Sequence, residues 1–242
     1  MAYKVLNNVS VKDVTSSDLL SLKTDLLVIV INKNTKDKVV NQLAKDVSSH
    51  LKESGSSVLV PNAKSFNAKN VLLVKGFQES DQIHKLISMY QSIAQKGNQL
   101  KAKDISIMPG TVYPKGKCEM WLIEMVAKTI ESNVYIFSET CNKTAKKPSV
   151  KKLNILVSSL TKSDLIKAKN AAKKGYAIGE GVNSAKYLGD LPANHCTPRI
   201  IEKKVKAMTK DFPKLKVKSF NENQMKKMGM GSFLSVSRGS EE

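Results

Sequence analysis

Residues 25–32 read Asp-Leu-Leu-Val-Ile-Val-Ile-Asn, an unbroken and largely β-branched apolar run with a polar residue at each end. A strand with one wet face alternates apolar and polar residues. A run without alternation therefore predicts a strand buried on both faces, near the centre of a sheet with helices against it. Downstream, Val39, Val40, Leu43, Val47 and Leu51 recur at helical spacing, and Ser54-Gly55-Ser56-Ser57 ends that helix. Val58–Val60 and Val71–Val74 supply two further short strands on either side of the turn signal Pro61-Asn62. Strands alternating with helices predict an α/β domain.

The alternation continues. A helix is expected from near Ser80, with Ile83, Ile87, Tyr90 and Ile93 along one side, then a strand over Asp104–Met108 closed by Pro109-Gly110. Met120–Ile130 reads as a helix, and Val134–Phe137 and Leu153–Val157 as strands. The pattern changes at Ser163, a candidate N-cap, to one long helix running towards Leu188. The domain boundary is accordingly expected near Ser159–Ser163, dividing the chain into 1–160 and 161–242.

Gly175, Gly179 and Gly181 each cost about 1 kcal/mol against alanine inside a helix, so something should pack closely there. Gly179-Glu180-Gly181 follows no strand, which excludes the phosphate-cradling reading of a dinucleotide fingerprint. Pro192 ends the long helix. Thr197 is then expected to cap the next one, with Pro198 at its first position and Ile200, Ile201, Val205 and Met208 on one face. Lys214–Phe220 reads as a strand, Asn221–Met228 as a short helix and Gly229-Met-Gly231 as a turn. Apolar and polar residues alternate from Leu215 to Val236, so the apolar groups there are expected to be exposed or covered by another copy of the chain.

At 242 residues, 41% hydrophobic and 25% charged, the chain has the balance of a folded protein able to bury a core without disulfides. The net charge of +19 suggests nucleic acid, but Arg199 and Arg238 are the only arginines, and lysine lacks the bidentate fork that reads phosphates and bases. The charge is also spread, with +10 over residues 1–160 and +9 over 161–242, and no aromatic stripe accompanies it. It reads as a lysine-rich solvated surface, with nucleic-acid binding as the alternative. Cys118, Cys141 and Cys196 lie far apart with no CxxC pair, which argues against a disulfide framework or zinc finger and for a reducing compartment. Met1–Val11 has no signal-peptide core, and the longest apolar run, Leu26–Ile31, is too short to span a bilayer. A soluble cytoplasmic protein is expected.

Catalytic chemistry is not visible in the residues. His50, His84 and His195 form neither HxxxH nor HExxH spacing, and the first two read as solvated helix residues. His195 and Cys196 are adjacent in a turn, where neighbouring side chains do not meet as base and nucleophile. No GxSxG elbow, no GxxxxGK[ST] loop and no carboxylate cluster is present.

Two phrases carry a resemblance: Asn-Ser-Ala-Lys-Tyr-Leu-Gly-Asp-Leu-Pro-Ala-Asn-His-Cys-Thr-Pro (183–198) and Lys-Lys-Met-Gly-Met-Gly-Ser-Phe-Leu-Ser-Val-Ser-Arg-Gly-Ser-Glu (226–241). Together they resemble the start of the catalytic domain of leucyl (cytosol) aminopeptidases. Residues 1–160 correspond by position and α/β pattern to that family's divergent, macro-like amino-terminal domain. The resemblance implies a parent enzyme, a metalloprotease that releases amino-terminal residues from peptides as a cytoplasmic hexamer. Two divalent ions, zinc or manganese, would bind the substrate amine and carbonyl and activate a bridging water. It also implies an affinity for DNA in some bacterial relatives. The family's metal ligands and catalytic lysine and arginine lie in motifs that begin with a Gly-Lys-Gly-x-x-x-Asp-[ST]-Gly-Gly-like phrase, and these 242 residues contain none. The expectation is a truncated, catalytically silent amino-terminal portion with no catalytic, cofactor-binding or metal-ligating residue, the alternative being a nucleic-acid-binding module or an assembly and regulatory module. The matching residues would then be structural. Pro192 and Pro198 shape a turn, Asn194 and Thr197 supply hydrogen bonds and a cap, and Gly229 and Gly231 permit a bend.

Overall fold

The computed structural model describes residues 5–32, 51–141 and 147–240. Strands β1 (Asn8–Asp13), β2 (Thr24–Ile31), β3 (Ser57–Pro61), β4 (Ala68–Lys75), β5 (Asp104–Met108) and β6 (Lys152–Val157) form one sheet in the order β1-β6-β5-β2-β4-β3. Only β3 runs antiparallel to its neighbour. The helices between them are α1 (Ser16–Ser21), α2 (Ile83–Gln99) and α3 (Glu119–Val134), and α4 (Lys162–Asp190) follows β6. The expected mixed α/β sheet is therefore present. The expected helix through Val39 and Val47 lies outside the described residues.

The run at 25–32 is the inner strand its composition predicts: β2 lies between β5 and β4, and Leu26, Leu27, Val28 and Ile29 have no exposed surface. Its polar ends tie the neighbouring strands. Asp25 accepts from the Lys103 N–H at 2.8 Å and pairs with Lys69 at 2.6 Å, and these contacts hold its carboxyl below the usual range. At the other end Asn32 donates from Nδ2 to the Phe77 carbonyl at 3.0 Å, and its Oδ1 accepts from the Thr111 N–H at 3.0 Å. Gly76 and Gly110 leave room for that amide, since a Cβ on either would come within 2.5 and 2.2 Å of it.

A second set of polar groups crosses four strands. Ser10 Oγ donates to Asn154 Oδ1 at 2.9 Å, Asn154 Nδ2 to Ser106 Oγ at 3.0 Å, and Ser106 Oγ to Thr24 Oγ1 at 3.0 Å. Thr24 Oγ1 in turn donates to the Asp104 carboxylate. Every bond points towards the one anion, so each donor polarises the next. Because side chains in a strand alternate faces, a one-residue slip of any of these strands would break the chain of bonds.

Three expectations fail for local reasons. Val134 ends α3 instead of starting a strand, because its side chain is fully buried on the helix and its carbonyl accepts from Asn98 Nδ2 at 2.9 Å. Lys214–Phe220 forms no strand. Among the described residues after α4 no strand exists to pair with its backbone, and backbone groups of an unpaired strand gain nothing over solvent. The cap of α4 is Thr161 and not Ser163: Thr161 Oγ1 accepts from the Asp164 N–H at 3.1 Å. β1 and α1 escape the periodicity because β1, Asn-Val-Ser-Val-Lys-Asp, lies at the sheet edge with one buried residue, and α1 is a single capped turn and a half.

By its contacts the chain divides into two compact units inside α4, between residues 184 and 185. The second unit holds a 3-10 turn (Ala193–His195), α5 (Pro198–Asp211), α6 (Glu222–Lys227) and α7 (Gly231–Ser237), none of which has a buried residue. Phe212, Phe220, Met228, Phe233 and Val236 are exposed, as the sequence of this stretch leads one to expect.

Ser106 is the middle of the polar chain and has no exposed surface. Ser106→Ala should cost about 1–3 kcal/mol, the penalty of leaving buried partners unsatisfied. Urea unfolding of the two proteins measures it, and an unchanged midpoint would show that the bonded chain does not hold the sheet.

Candidate functional site

The buried residues of α4 are Ala168, Ala172, Gly175, Gly179 and Asn183, which recur every three or four positions and form one seam of small side chains. The seam lets the α4 backbone rest directly on α3. A Cβ on Gly175 would lie 2.0 Å from the Glu124 carbonyl oxygen, and one on Gly179 would lie 2.7 Å from Glu131 Cβ. A Cβ on Gly181 would meet nothing within 4 Å, so the close packing expected of all three glycines belongs to Gly175 and Gly179 alone. At the rim Lys174 pairs with Glu124 at 3.1 Å.

At the end of the seam Glu131 projects from α3 into a site with no exposed surface. Its Oε1 accepts from the Val5 N–H at 2.9 Å and from Asn183 Nδ2 at 3.0 Å, and its Oε2 accepts from the Leu6 N–H at 3.0 Å. Asn183 Nδ2 also reaches the Glu131 carbonyl at 3.0 Å, and Tyr176 Oη donates to the Leu6 carbonyl at 2.8 Å. One carboxyl thus joins the start of the chain, α3 and α4. Burial pushes its pKa up, the three N–H donors oppose that rise without cancelling it, and the charge of Glu180 adds to it. Burial and Glu180 likewise raise the Tyr176 phenol.

The sequence signal for this site is faint. Glu131 is an acid on a helix among the apolar Val126, Ala127, Ile130 and Val134, and Asn183 is a polar residue in register with a glycine pair. Read singly, each looks like a solvated helix residue, and nothing near either in the chain marks it as a buried partner.

Among the described residues, those singled out for chemistry form no cluster of three. His84 and His195 are exposed, Cys118 and Cys141 are exposed, and Cys196 is half-buried, while His50 lies outside the described residues. Around His195 the backbone closes a turn, with the His195 N–H on the Pro192 carbonyl at 2.8 Å. Thr197 occupies the N-cap position of α5 with Pro198 behind it, but its side chain makes no capping bond. Gly229 takes the left-handed backbone of the turn at φ +71°, whereas Gly231 begins α7. Among the described residues no three histidine, cysteine or acidic side chains gather closely enough to hold a metal ion. The donors among the described residues therefore do not fit a metal pair. A cleft of about 200 Å³ between β3, β4 and α2, lined by Leu72, Met89, Ile93 and Lys96, has no acid, histidine or cysteine among its described lining residues.

Comparison with known proteins adds an independent line. A sequence profile for the "Cytosol aminopeptidase family, catalytic domain" matches residues 183–242. The chain is 30% identical over 243 aligned positions to a probable cytosol aminopeptidase of Azotobacter vinelandii, covering 95% of this chain and 48% of that one. It is 28% identical over 237 positions to a cytosol aminopeptidase of Pseudomonas aeruginosa, covering 92% and 47%. The chain thus spans about half the length of these relatives. Its fold matches a leucine aminopeptidase variant from tomato with a TM-score of 0.73 at 19% identity, over all of this chain and 49% of that one.

Substituting the seam separates contact from helix propensity. Gly175→Ala should destabilise the chain by about 1–3 kcal/mol, the usual cost of overpacking, because the methyl meets backbone that cannot yield. Gly181→Ala should instead stabilise it by up to about 1 kcal/mol. Equal effects of the two substitutions on the thermal midpoint would contradict the seam.

Proposed function

The chain belongs to the cytosol (leucyl) aminopeptidase family, and on that premise we propose that it is the amino-terminal domain and the first part of the catalytic domain of a metal-dependent enzyme that releases amino-terminal residues from peptides. The profile match that starts at Asn183 carries this reading, because it begins on α4 beside the point where the chain passes from the sheet unit to the second unit. The division at about residue 160 is part of the proposal, with the sheet of 1–160 as the amino-terminal domain. So are a cytoplasmic location and a homo-oligomer, a hexamer as in the family. No helix among the described residues is long and apolar enough to cross a membrane, which suits that location.

Substrate hydrolysis belongs, in this reading, to the whole enzyme, with its zinc or manganese pair. The 242 residues supply neither the ligand phrase nor, among the described residues, a metal-sized donor cluster. The lysine-rich surface would further repel cations from any partial set. What these residues contribute is a sheet unit in which α4 is fixed to α3 by the glycine seam, and the family match begins on that same helix at Asn183.

Titration calorimetry of the 242-residue chain with manganese or zinc should show no tight stoichiometric site, and hydrolysis of leucine amide should stay at background. A peptidase activity that copurifies with the chain and is removed by a chelator would overturn the assignment of catalysis to the remainder of the enzyme.

A further inference from the structure

Glu131 is a fully buried acid, and among the described residues no lysine or arginine pairs with it. The ionisable groups that face it are both on α4: Glu180, whose charge opposes a second anion, and Tyr176, a phenol whose hydroxyl reaches both the Leu6 carbonyl and the Glu180 carboxylate. Among the described residues, the segment at Val5 and Leu6 offers backbone N–H groups and no counter-charge. A buried carboxylate without a cation is expensive even when hydrogen-bonded.

A second deficit sits in the same cluster. Asn183 Oδ1 is buried and has no hydrogen-bond partner, although the Nδ2 of the same amide has two. The amide is correctly oriented, because both partners of its nitrogen are acceptors. One missing donor and one excess negative charge have a common remedy, which is a proton on the carboxyl. Oε1 already accepts two bonds and Oε2 one, so Oε2 can carry the proton without displacing a donor.

We propose that Glu131 and Asn183 form a buried acid–amide pair that takes one proton from solvent, with the neutral carboxyl donating to Asn183 Oδ1, and that this proton fastens α4 and the start of the chain to α3. The inference stands on this geometry and is independent of the peptidase reading. Burial raises the folded-state pKa of Glu131 above its unfolded value, so the sign is fixed. The protonated pair contributes fully below the ordinary glutamate pKa of about 4.3, and the contribution is lost as pH rises through the folded-state midpoint. The helix joint is therefore tightest in mild acid and loosens towards alkaline pH.

Carbon-13 NMR of the 242-residue chain labelled at glutamate and asparagine side-chain carbonyls reads both partners. The Glu131 signal is identified by its loss in Glu131→Gln or, should that variant not fold, by through-bond correlation to its own backbone. Its titration midpoint should lie clearly above those of the exposed glutamates, and the Asn183 Cγ shift should follow the same midpoint. Hydrogen-exchange protection of the Val5 and Leu6 amides, corrected for intrinsic exchange, should fall through that midpoint. A Glu131 that titrates with the exposed glutamates, an Asn183 Cγ that does not move with it, or protection that ignores the midpoint would each overturn the proposal.

Discussion

Two helices that touch backbone to backbone set the terms for the sheet unit. Side chains normally hold helix axes about 8–10 Å apart, and only a seam of glycine and alanine lets one helix settle directly on another. Gly175 and Gly179 provide that seam where α4 crosses α3, and the approach leaves no path for water to Glu131. The acid must then find all its partners inside the protein. It finds them on Asn183 and on the backbone of Val5 and Leu6, so the contact between two helices also captures the beginning of the chain. Tyr176 repeats the capture earlier on α4.

Much of the fold is legible because inner strands of parallel sheets announce themselves by composition. β2, β4, β5 and β6 all lie inside the sheet, and all read as compact apolar runs. The edge strand β1 mixes Asn, Ser and Lys with its valines and carries no such mark. Periodicity misleads where an apolar stretch could be used by either geometry. Val134 ends a helix because its neighbours at 127, 130 and 131 already face the interior on that helix, a choice made by packing beyond the four residues in question. The polar joint is invisible for a different reason. A buried acid and amide are recognisable only as a pair, and Glu131 and Asn183 stand 52 residues apart.

The family-matched segment has the opposite character to the sheet unit. Its helices carry apolar residues, as Ile201 and Phe233 show, but bury none of them within the described chain. Local signals suffice to form these elements: Asn221 and Gln224 close a reciprocal cap on α6, Pro198 opens α5, and Gly229 turns the chain. This is secondary structure written into short-range chemistry, in a chain that spans about half the length of the relatives it matches.

Asn32 has a bearing on how the sheet unit can evolve. In open parallel sheets, small molecules settle beyond the carboxyl ends of strands where successive connections leave in opposite directions. The chain leaves β5 towards β6 and leaves β2 towards the β4 side, so that position lies between β5 and β2. Here the protein's own amide fills it, bonded to the turns after β4 and β5 and walled by two glycines too close to bear a side chain. The place where other sheets of this kind seat a ligand is occupied here by a side chain of the protein itself. The residue that keeps the turns in place is also the one that would have to be given up before the sheet could host a guest molecule.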